Sequence, residues 1–158
     1  MTTNLNKILT KSVQYLILTH VEPDFDAIGS MLGLTGSLEL MGYSVTPLVE
    51  SVPFFMQALP GVDKLKSQLP ANASSYHVIA LDSASRERVY QSDWLSSAGK
   101  IINIDHHQDN PHFGDINLIN VNTSSTSEYL FHLLTRAHFP MDESVILPLY
   151  AGILYDTG

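Results

Sequence analysis

The sequence predicts an α/β domain in which a mostly parallel β-sheet is flanked by helices. Two observations predict this fold class. Short apolar segments rich in β-branched residues alternate with longer segments whose apolar residues recur at helical spacing. The chain has 158 residues, 44% of them hydrophobic, which is enough for one domain with its own core.

Four segments are predicted to be strands, because each is short, continuous and apolar. They cover residues 15–19, 43–49, 76–81 and 100–104. Uninterrupted apolar runs of this kind are typical of strands buried on both faces of a parallel sheet.

Two helical segments are predicted before the third strand. The first begins at Ala27 and has a plausible stop at Gly42. The second, VPFFMQALPG over residues 52–61, is predicted to be a short helix that ends at Pro60 and Gly61.

Two more helices are predicted after the fourth strand. The stretch STSEYLFHLLTRAHF, residues 125–139, offers Ser and Thr as cap candidates and an apolar face. The last helix is expected to start near Asp142 and to run towards Leu154, with a kink at Pro148.

The composition restricts the ligands that the domain can bind. The chain has no cysteine, which excludes disulfides and thiolate metal sites. Its formal net charge of −8 is unsuited to general nucleic-acid binding, because duplex affinity depends mostly on Lys and Arg contacts with phosphate. If the substrate carries phosphate, its charge must be met largely by groups other than the eight Lys and Arg. Metal ions are the obvious source.

The N-terminal stretch MTTNLNKILTKSVQYLILTH does not have the layout of a secretory signal peptide. No apolar stretch approaches the roughly 20 residues that a membrane helix needs. We therefore expect a cytoplasmic protein that has no contact with a membrane.

Titratable side chains directly follow three of the four predicted strands. Because the carboxyl ends of parallel strands meet at one edge of a sheet, where ligands bind, we expect these side chains to lie together. They are His20, Asp24 and Asp26 after the first strand, Asp82 after the third, and Asp105, His106 and His107 after the fourth.

A cluster of carboxylates would repel itself, and divalent cations would relieve that repulsion. Taken singly, each of these groups is also compatible with a solvated loop or a helix cap. Together, oxygen and imidazole ligands without sulfur suit Mn²⁺, Mg²⁺, Fe²⁺ or Zn²⁺, and several Asp combined with His favour Mn²⁺. So many ligands exceed the needs of one ion, which suggests two ions that share a bridging carboxylate.

Four stretches of this chain resemble the signature motifs of the DHH phosphoesterase superfamily, a RecJ-like group. They are HVEPDFDAIGS, LDSAS, IDHH and GILYDTG. The connecting stretches LPGVDKL, FGDINLIN and SSTSEYLFHLL resemble the branch of nanoRNases and pAp phosphatases. The resemblance implies a DHH domain with a Rossmann-like three-layer fold.

The resemblance also implies a role for each site residue. The implied metal ligands are His20 and Asp24 for a first ion, Asp26, His106 and Asp156 for a second ion, and Asp82 as the bridge. His107 would face the scissile phosphate, and Asp105 would orient an imidazole, as carboxylates commonly do beside ligating histidines. Asp156 rests on the resemblance alone, because GILYDTG by itself indicates a helix end with a glycine cap.

The implied function is metal-dependent hydrolysis of phosphodiester or phosphomonoester bonds in short oligonucleotides or nucleotides. Two Mn²⁺ ions, with Mg²⁺ as a substitute, would activate a water molecule. Two other substrates remain open: inorganic pyrophosphate and cyclic dinucleotides. A protein of another class, a catalytically silent metal- or nucleotide-binding module, is disfavoured because every ligand position is intact.

Full-length members of this superfamily continue into a second, C-terminal domain, DHHA1, which grips the substrate. This chain stops at Gly158, inside the fourth motif. We therefore expect residues 1–158 to be a DHH catalytic domain without DHHA1. Alone, such a domain is expected to be weakly active or inactive.

Overall fold

The computed structural model describes residues 5–158, whose centre is a five-stranded β-sheet. The strands are β1 (Gln14–Leu18), β2 (Ser44–Leu48), β3 (His77–Leu81), β4 (Ile101–Asp105) and β5 (Ile116–Ile119). They are ordered β2-β1-β3-β4-β5, and every neighbouring pair is parallel. The predicted fold class, a mostly parallel sheet flanked by helices, is confirmed.

The four predicted strands agree with β1 to β4 to within one residue at each end. The fifth strand, β5, was not predicted. It has only four residues, lies at the edge of the sheet and has a single buried residue, Leu118.

The helices are α1 (Leu5–Ile8), α2 (Phe25–Leu40), α3 (Thr126–Ala137) and α4 (Glu143–Thr157). The first predicted helix is α2, which begins two residues earlier than expected because Asp24 caps it by accepting the Ala27 N–H. It ends at Leu40, and the expected stop, Gly42, follows the C-cap Met41 with a φ of +80°, which suits glycine. None of the helices within residues 5–158 is long and apolar enough to cross a bilayer.

The two helices predicted after the fourth strand are α3 and α4. Ser125 caps α3 by accepting the Glu128 N–H, and Asp142 caps α4 by accepting the Ser144 N–H. Helix α4 runs without interruption through Pro148. The kink expected there stays a prediction.

The short helix predicted over residues 52–61 is wrong. The segment contains only one turn of 3-10 helix, Phe54–Met56. Of its three residues only Met56 is buried, so a longer helix would have no apolar face to pack. Pro60 and Gly61, the latter with a φ of +87°, prevent helix from continuing.

Two different layers cover the sheet. The α-helices pack on the face that carries Tyr15, Ile17 and Ile79. The opposite face, which includes Leu16 and Val78, is covered by 3-10 turns and loops. The loop residues that pack on it include Ala73, Val89 and Leu95. The sheet is therefore buried on both sides, as its continuous apolar strands predict.

Glycines allow α2 and α4 to approach each other closely. A Cβ on Gly29 would overlap the carbonyl oxygen of Pro148, and a Cβ on Gly33 would lie 2.5 Å from Leu149 Cγ. On the other helix, a Cβ on Gly152 would lie 2.9 Å from Asp26 Oδ1 and would overlap a side-chain oxygen of α3. Because α4 carries Asp156 near its end, this approach brings that residue to the edge of the sheet where β1 and β3 end.

The Gly29→Ala substitution tests this packing. In an ordinary helix interior the change from Gly to Ala is stabilising by about 1 kcal/mol. Here the new methyl group would meet a backbone oxygen that no side-chain rotation can move. We expect a loss of about 1–3 kcal/mol of unfolding free energy, which is typical of overpacking, measured by urea unfolding.

Gly36→Ala is the matched control in the same helix. Its new methyl group would meet a side-chain carbon, Val145 Cγ2, at 3.1 Å. The control should therefore change stability less. A loss at Gly36 as large as that at Gly29 would contradict the role assigned to the backbone contact.

Candidate metal centre

A cavity of about 550 Å³ opens at the carboxyl edge of the sheet. The chain passes from β1 to β2 on one side and returns to β3 on the other, so the ends of β1 and β3 form a topological switch point. Ligands of open parallel sheets bind at such points. The cavity wall includes His20, Asp24, Asp82, His106, His107 and Asp156.

Asp82 lies at the centre of this arrangement, immediately after β3. It is buried and has a left-handed backbone with a φ of +50°, a conformation in which Asp is one of the few enriched residue types. Its carboxylate faces two histidines: Oδ2 is 3.6 Å from His20 Nε2, and Oδ1 is 3.7 Å from His106 Nε2. One carboxylate is thus shared between two groups of side chains.

Each of the two groups brings three potential ligand atoms within 4.8 Å of one another. The groups are His20, Asp24 and Asp82, and Asp26, His106 and Asp156. The atom pairs include His20 Nε2 and Asp24 Oδ2 at 4.0 Å, and His106 Nε2 and Asp156 Oδ2 at 3.5 Å. These groups coincide with the two ligand sets that the sequence motifs imply.

The His20 ring is oriented by the backbone. Its Nδ1 is 2.8 Å from the carbonyl oxygen of Val21, which can only accept, so Nδ1 carries the proton. In the neutral ring, the Nε2 lone pair then faces Asp24 and Asp82, as a metal ligand requires. Burial would lower the pKa of His20, but hydrogen bonds with Asp82 and Val21 raise it above its usual value.

Asp26 is held from behind by the N-terminus of α3. Its Oδ2 accepts the backbone N–H of Thr126 at 2.7 Å, and its Oδ1 accepts that of Ser127 at 2.8 Å. Thr126 also donates its hydroxyl to Asp82 Oδ1 at 3.0 Å. The N-terminus of a helix favours negative charge, so α3 supports two of the acids.

This support by α3 could not be read from the sequence. The stretch SSTSE indicates a helix cap, which Ser125 does form. Nothing in its spacing shows that the next two residues bind a carboxylate 100 residues earlier in the chain.

Burial and charge repulsion act on the acids of the site. Desolvation and the nearby Asp82 raise the pKa of Asp26 to about 8, against the opposing effect of its hydrogen bonds with Ser127 and Thr126. Burial and Asp82 also raise the pKa of Asp156. Both shifts indicate excess negative charge, which a divalent cation would offset.

His107 is held differently from His106. Its Nδ1 is 2.7 Å from Asp105 Oδ1, and Asn110 donates to Asp105 Oδ2 at 2.6 Å. The hydrogen bond with Asp105 raises the pKa of His107 to about 9. Burial would raise the pKa of Asp105, but the bonds from His107 and Asn110 lower it. The imidazole that Asp105 orients is therefore that of His107, and the contribution of Asn110 was not predicted.

A third group of potential ligands joins His107 to Asp82 and His106. The Nδ1 atom of His107 is 3.8 Å from Asp82 Oδ1 but only 2.7 Å from Asp105 Oδ1. Its engagement with Asp105 favours a role other than metal binding.

The cavity wall is strongly acidic. Among its residues, all within the described part of the chain, Arg88 is the one Lys or Arg, against four Asp. Arg86, only two residues away, donates to Ser96 Oγ instead. Carboxylate oxygens and imidazole nitrogens without sulfur are a donor set that suits Mn²⁺ or Mg²⁺.

The structure brings all eight predicted site residues together. Six lie on the cavity wall, and the other two, Asp26 and Asp105, are buried. Their roles as metal ligands and catalytic groups stay predictions.

Comparison with known families supports the motif resemblance. The family model described as "DHH family, N-terminal domain" matches residues 14–155. The resemblance inferred from the four motifs is confirmed.

Named relatives cover the whole domain. The bifunctional oligoribonuclease and PAP phosphatase NrnA of Thermus thermophilus is 34% identical over 142 residues, which are 90% of this chain and 43% of that protein. The protein of the same name from Bacillus subtilis is 30% identical over 100% of this chain and 50% of its own length. The chain therefore spans about half the length of the curated relatives that it matches.

A solved structure has the same architecture. The exopolyphosphatase-related protein from Bacteroides fragilis superposes with a TM-score of 0.84 and is 30% identical. The match covers 92% of this chain and 46% of that protein.

The raised pKa of Asp26 predicts how the stability of the metal-free protein depends on pH. The folded state keeps the proton on Asp26 up to about pH 8, whereas the unfolded chain loses it near pH 3.8. The contribution of Asp26 is thus complete below pH 3.8 and is lost as the pH rises towards 8. Relative to Asp26→Asn, the stability of the wild type should fall by up to about 1.4 kcal/mol per pH unit.

The measurement is urea unfolding with a chelator between about pH 4 and 6, in which the comparison with Asp26→Asn isolates the contribution of this one carboxyl group. Asp93→Asn, at an exposed acid, is the control and should follow the pH dependence of the wild type. A stability difference between wild type and Asp26→Asn that stays constant over this range would contradict the raised pKa.

Proposed function

Because this chain belongs to the DHH family, we propose that it is the catalytic domain of a metal-dependent phosphoesterase. Its proposed substrates are short oligonucleotides or nucleotides, hydrolysed at phosphodiester or phosphomonoester bonds. The observation that carries the proposal is the position of Asp82, whose two oxygens face two separate groups of ligands. A shared carboxylate between two ions is the arrangement of two-metal hydrolases.

The proposed ligand sets follow the geometry. His20 and Asp24 would hold one ion, Asp26, His106 and Asp156 the other, and Asp82 both. Mn²⁺ suits this mixture of carboxylate and imidazole ligands, and Mg²⁺ is the alternative. When bound, such ions supply an acidic water molecule and offset charge on phosphoryl oxygens.

His107 is the proposed catalytic side chain of the protein itself. Its Nδ1 is bound to Asp105, which leaves Nε2 as the ring atom that can donate to a phosphoryl oxygen. With a pKa raised to about 9, the ring is cationic at neutral pH and stabilises negative charge. Arg88 on the same wall adds a guanidinium, whose donors match phosphate geometry.

The choice of substrate is supported by the named relatives. Two of them are called oligoribonuclease and PAP phosphatase.

The rival hypotheses are an inorganic pyrophosphatase, a cyclic-dinucleotide phosphodiesterase and a catalytically silent binding module. Convergence of all six potential ligands disfavours the silent module. The DHHA1 domain expected in the whole protein stays a prediction.

An activity assay compares three substrates in the presence of Mn²⁺: a short oligoribonucleotide, adenosine 3′,5′-bisphosphate and inorganic pyrophosphate. We expect release of mononucleotide or phosphate from the first two, more slowly than by the Thermus thermophilus relative. A chelator should stop the reaction. Asp82→Asn should slow it by two or more orders of magnitude, because a shared ligand of both ions supports several kcal/mol of charge stabilisation.

The outcomes of that assay separate the rivals. Preferential hydrolysis of pyrophosphate would replace the proposed substrate class. Metal binding without hydrolysis of any of the three, even at stoichiometric protein, would favour the silent module.

Substitutions of the neighbouring histidines test the division of roles. Mn²⁺ at a hundredfold excess over its dissociation constant should stabilise the wild type by about 2.7 kcal/mol. His106→Ala should reduce this gain in thermal melting, because it removes a ligand. His107→Ala should retain it and should lower turnover instead.

His132→Ala is the matched control, at a half-exposed histidine of α3 whose Nε2 lies 3.5 Å from Glu128 Oε1. It should change neither the Mn²⁺ gain nor turnover. Equal weakening of Mn²⁺ binding by the changes at His106 and His107 would show that the roles are not divided in this way.

A further inference from the structure

Three neighbouring aromatic rings, two of them exposed and one half-buried, take no part in the chemistry described above. Phe25 lies between two other rings, with centroid distances of 5.5 Å to Phe55 and 5.7 Å to Tyr155. Phe55 is 67% exposed and Tyr155 54% exposed. We call these three residues the aromatic cluster.

The cluster is assembled from three distant segments of the chain. Phe25 is the first residue of α2, Phe55 belongs to the 3-10 turn after β2, and Tyr155 lies near the end of α4. Burying a large apolar side chain stabilises the folded state by roughly 1.5–3 kcal/mol. The stability of the fold alone would therefore favour covering such rings. A group of neighbouring rings left open to solvent is typical of a binding surface.

Two members of the cluster are next in sequence to acids of the metal cavity. Phe25 directly follows Asp24, and Tyr155 directly precedes Asp156. Both acids line the cavity, and consecutive Cα atoms are only about 3.8 Å apart. The backbones of Phe25 and Tyr155 therefore lie beside the backbones of two acids that line the cavity.

We propose that the aromatic cluster is a stacking platform for a nucleobase of the substrate whose phosphate lies in the metal cavity. This inference rests on the proposed function and narrows it, because it selects substrates that carry a base over inorganic polyphosphates. Flat aromatic faces stack on any base, so the platform would bind single-stranded nucleotides with little sequence preference.

The charge of the domain makes such a platform useful. Proteins that bind single strands usually combine a basic groove with aromatic stacking. This chain has a net charge of −8, and Arg88 is the one Lys or Arg on the cavity wall, which lies within residues 5–158. Because few cationic side chains are available to contact the backbone phosphates, contacts with the base would have to provide part of the binding affinity.

A pair of ligands that differ only in the base tests the proposal. We compare the binding of AMP and ribose 5-phosphate to the Mn²⁺-loaded chain by calorimetry. Stacking on one base typically changes affinity by roughly 5- to 100-fold, so AMP should bind that much more tightly. Phe55→Ala should abolish most of the preference, because Phe55 is exposed and its removal does not disturb the core. Phe55→Trp should retain it.

Phe131→Ala is the matched control, at an exposed phenylalanine on α3 outside the cluster. It should leave the preference for AMP unchanged. Equal affinity of the wild type for AMP and ribose 5-phosphate would overturn the platform while leaving the proposed function intact. Binding of neither ligand to the Mn²⁺-loaded chain would instead contradict the proposed function.

A second copy of the chain is the competing occupant of these rings. Sedimentation of the wild type and of Phe55→Ala decides between the two. A dimer that Phe55→Ala converts to a monomer, with an unchanged preference for AMP, would overturn the proposal.

Discussion

The concentration of negative charge around the Asp82 carboxylate is the constraint on which the rest of the site depends. Asp82 is buried at a strand end with a left-handed backbone, and other acids of the cavity wall face the same space. The protein offsets part of this charge with its own groups. The N-terminus of α3 donates three hydrogen bonds to Asp26 and Asp82, and imidazoles lie on either side. The raised pKa values of Asp26 and Asp156 show that this compensation is incomplete. The site is therefore suited to bound cations and unsuited to an anion by itself.

Much of the fold and of the site could be predicted from the sequence because local patterns carry them. The inner strands are continuous apolar runs, and polar residues at their ends mark the ligand edge, which placed His20, Asp82 and His106 correctly. The support behind these residues was not predictable in the same way. Thr126 and Asn110 act through tertiary contacts, and nothing in a local pattern distinguishes them from an ordinary cap or turn residue. Asp156 required a known motif, because its helix alone indicates only an end.

The errors in the prediction also have a physical origin. The apolar residues of VPFFMQALPG suggested a short helix, but Phe54 is 90% exposed and Phe55 is 67% exposed. Hydrophobicity in a sequence predicts burial only where the fold provides a partner surface. One of these two rings, Phe55, lies 5.5 Å from the ring of Phe25, the residue that follows Asp24 of the cavity wall.

The distribution of the ligands along the chain has a consequence for biosynthesis. The three side chains of the first proposed ligand group, His20, Asp24 and Asp82, all lie in the chain up to the residue after the third strand. The second group waits for Asp156, near the end of α4, and for the close approach of that helix to α2. Because synthesis proceeds from the N-terminus, the two halves of the centre mature in sequence. The arrangement proposed for a second ion would thus be complete only after the last helix has docked.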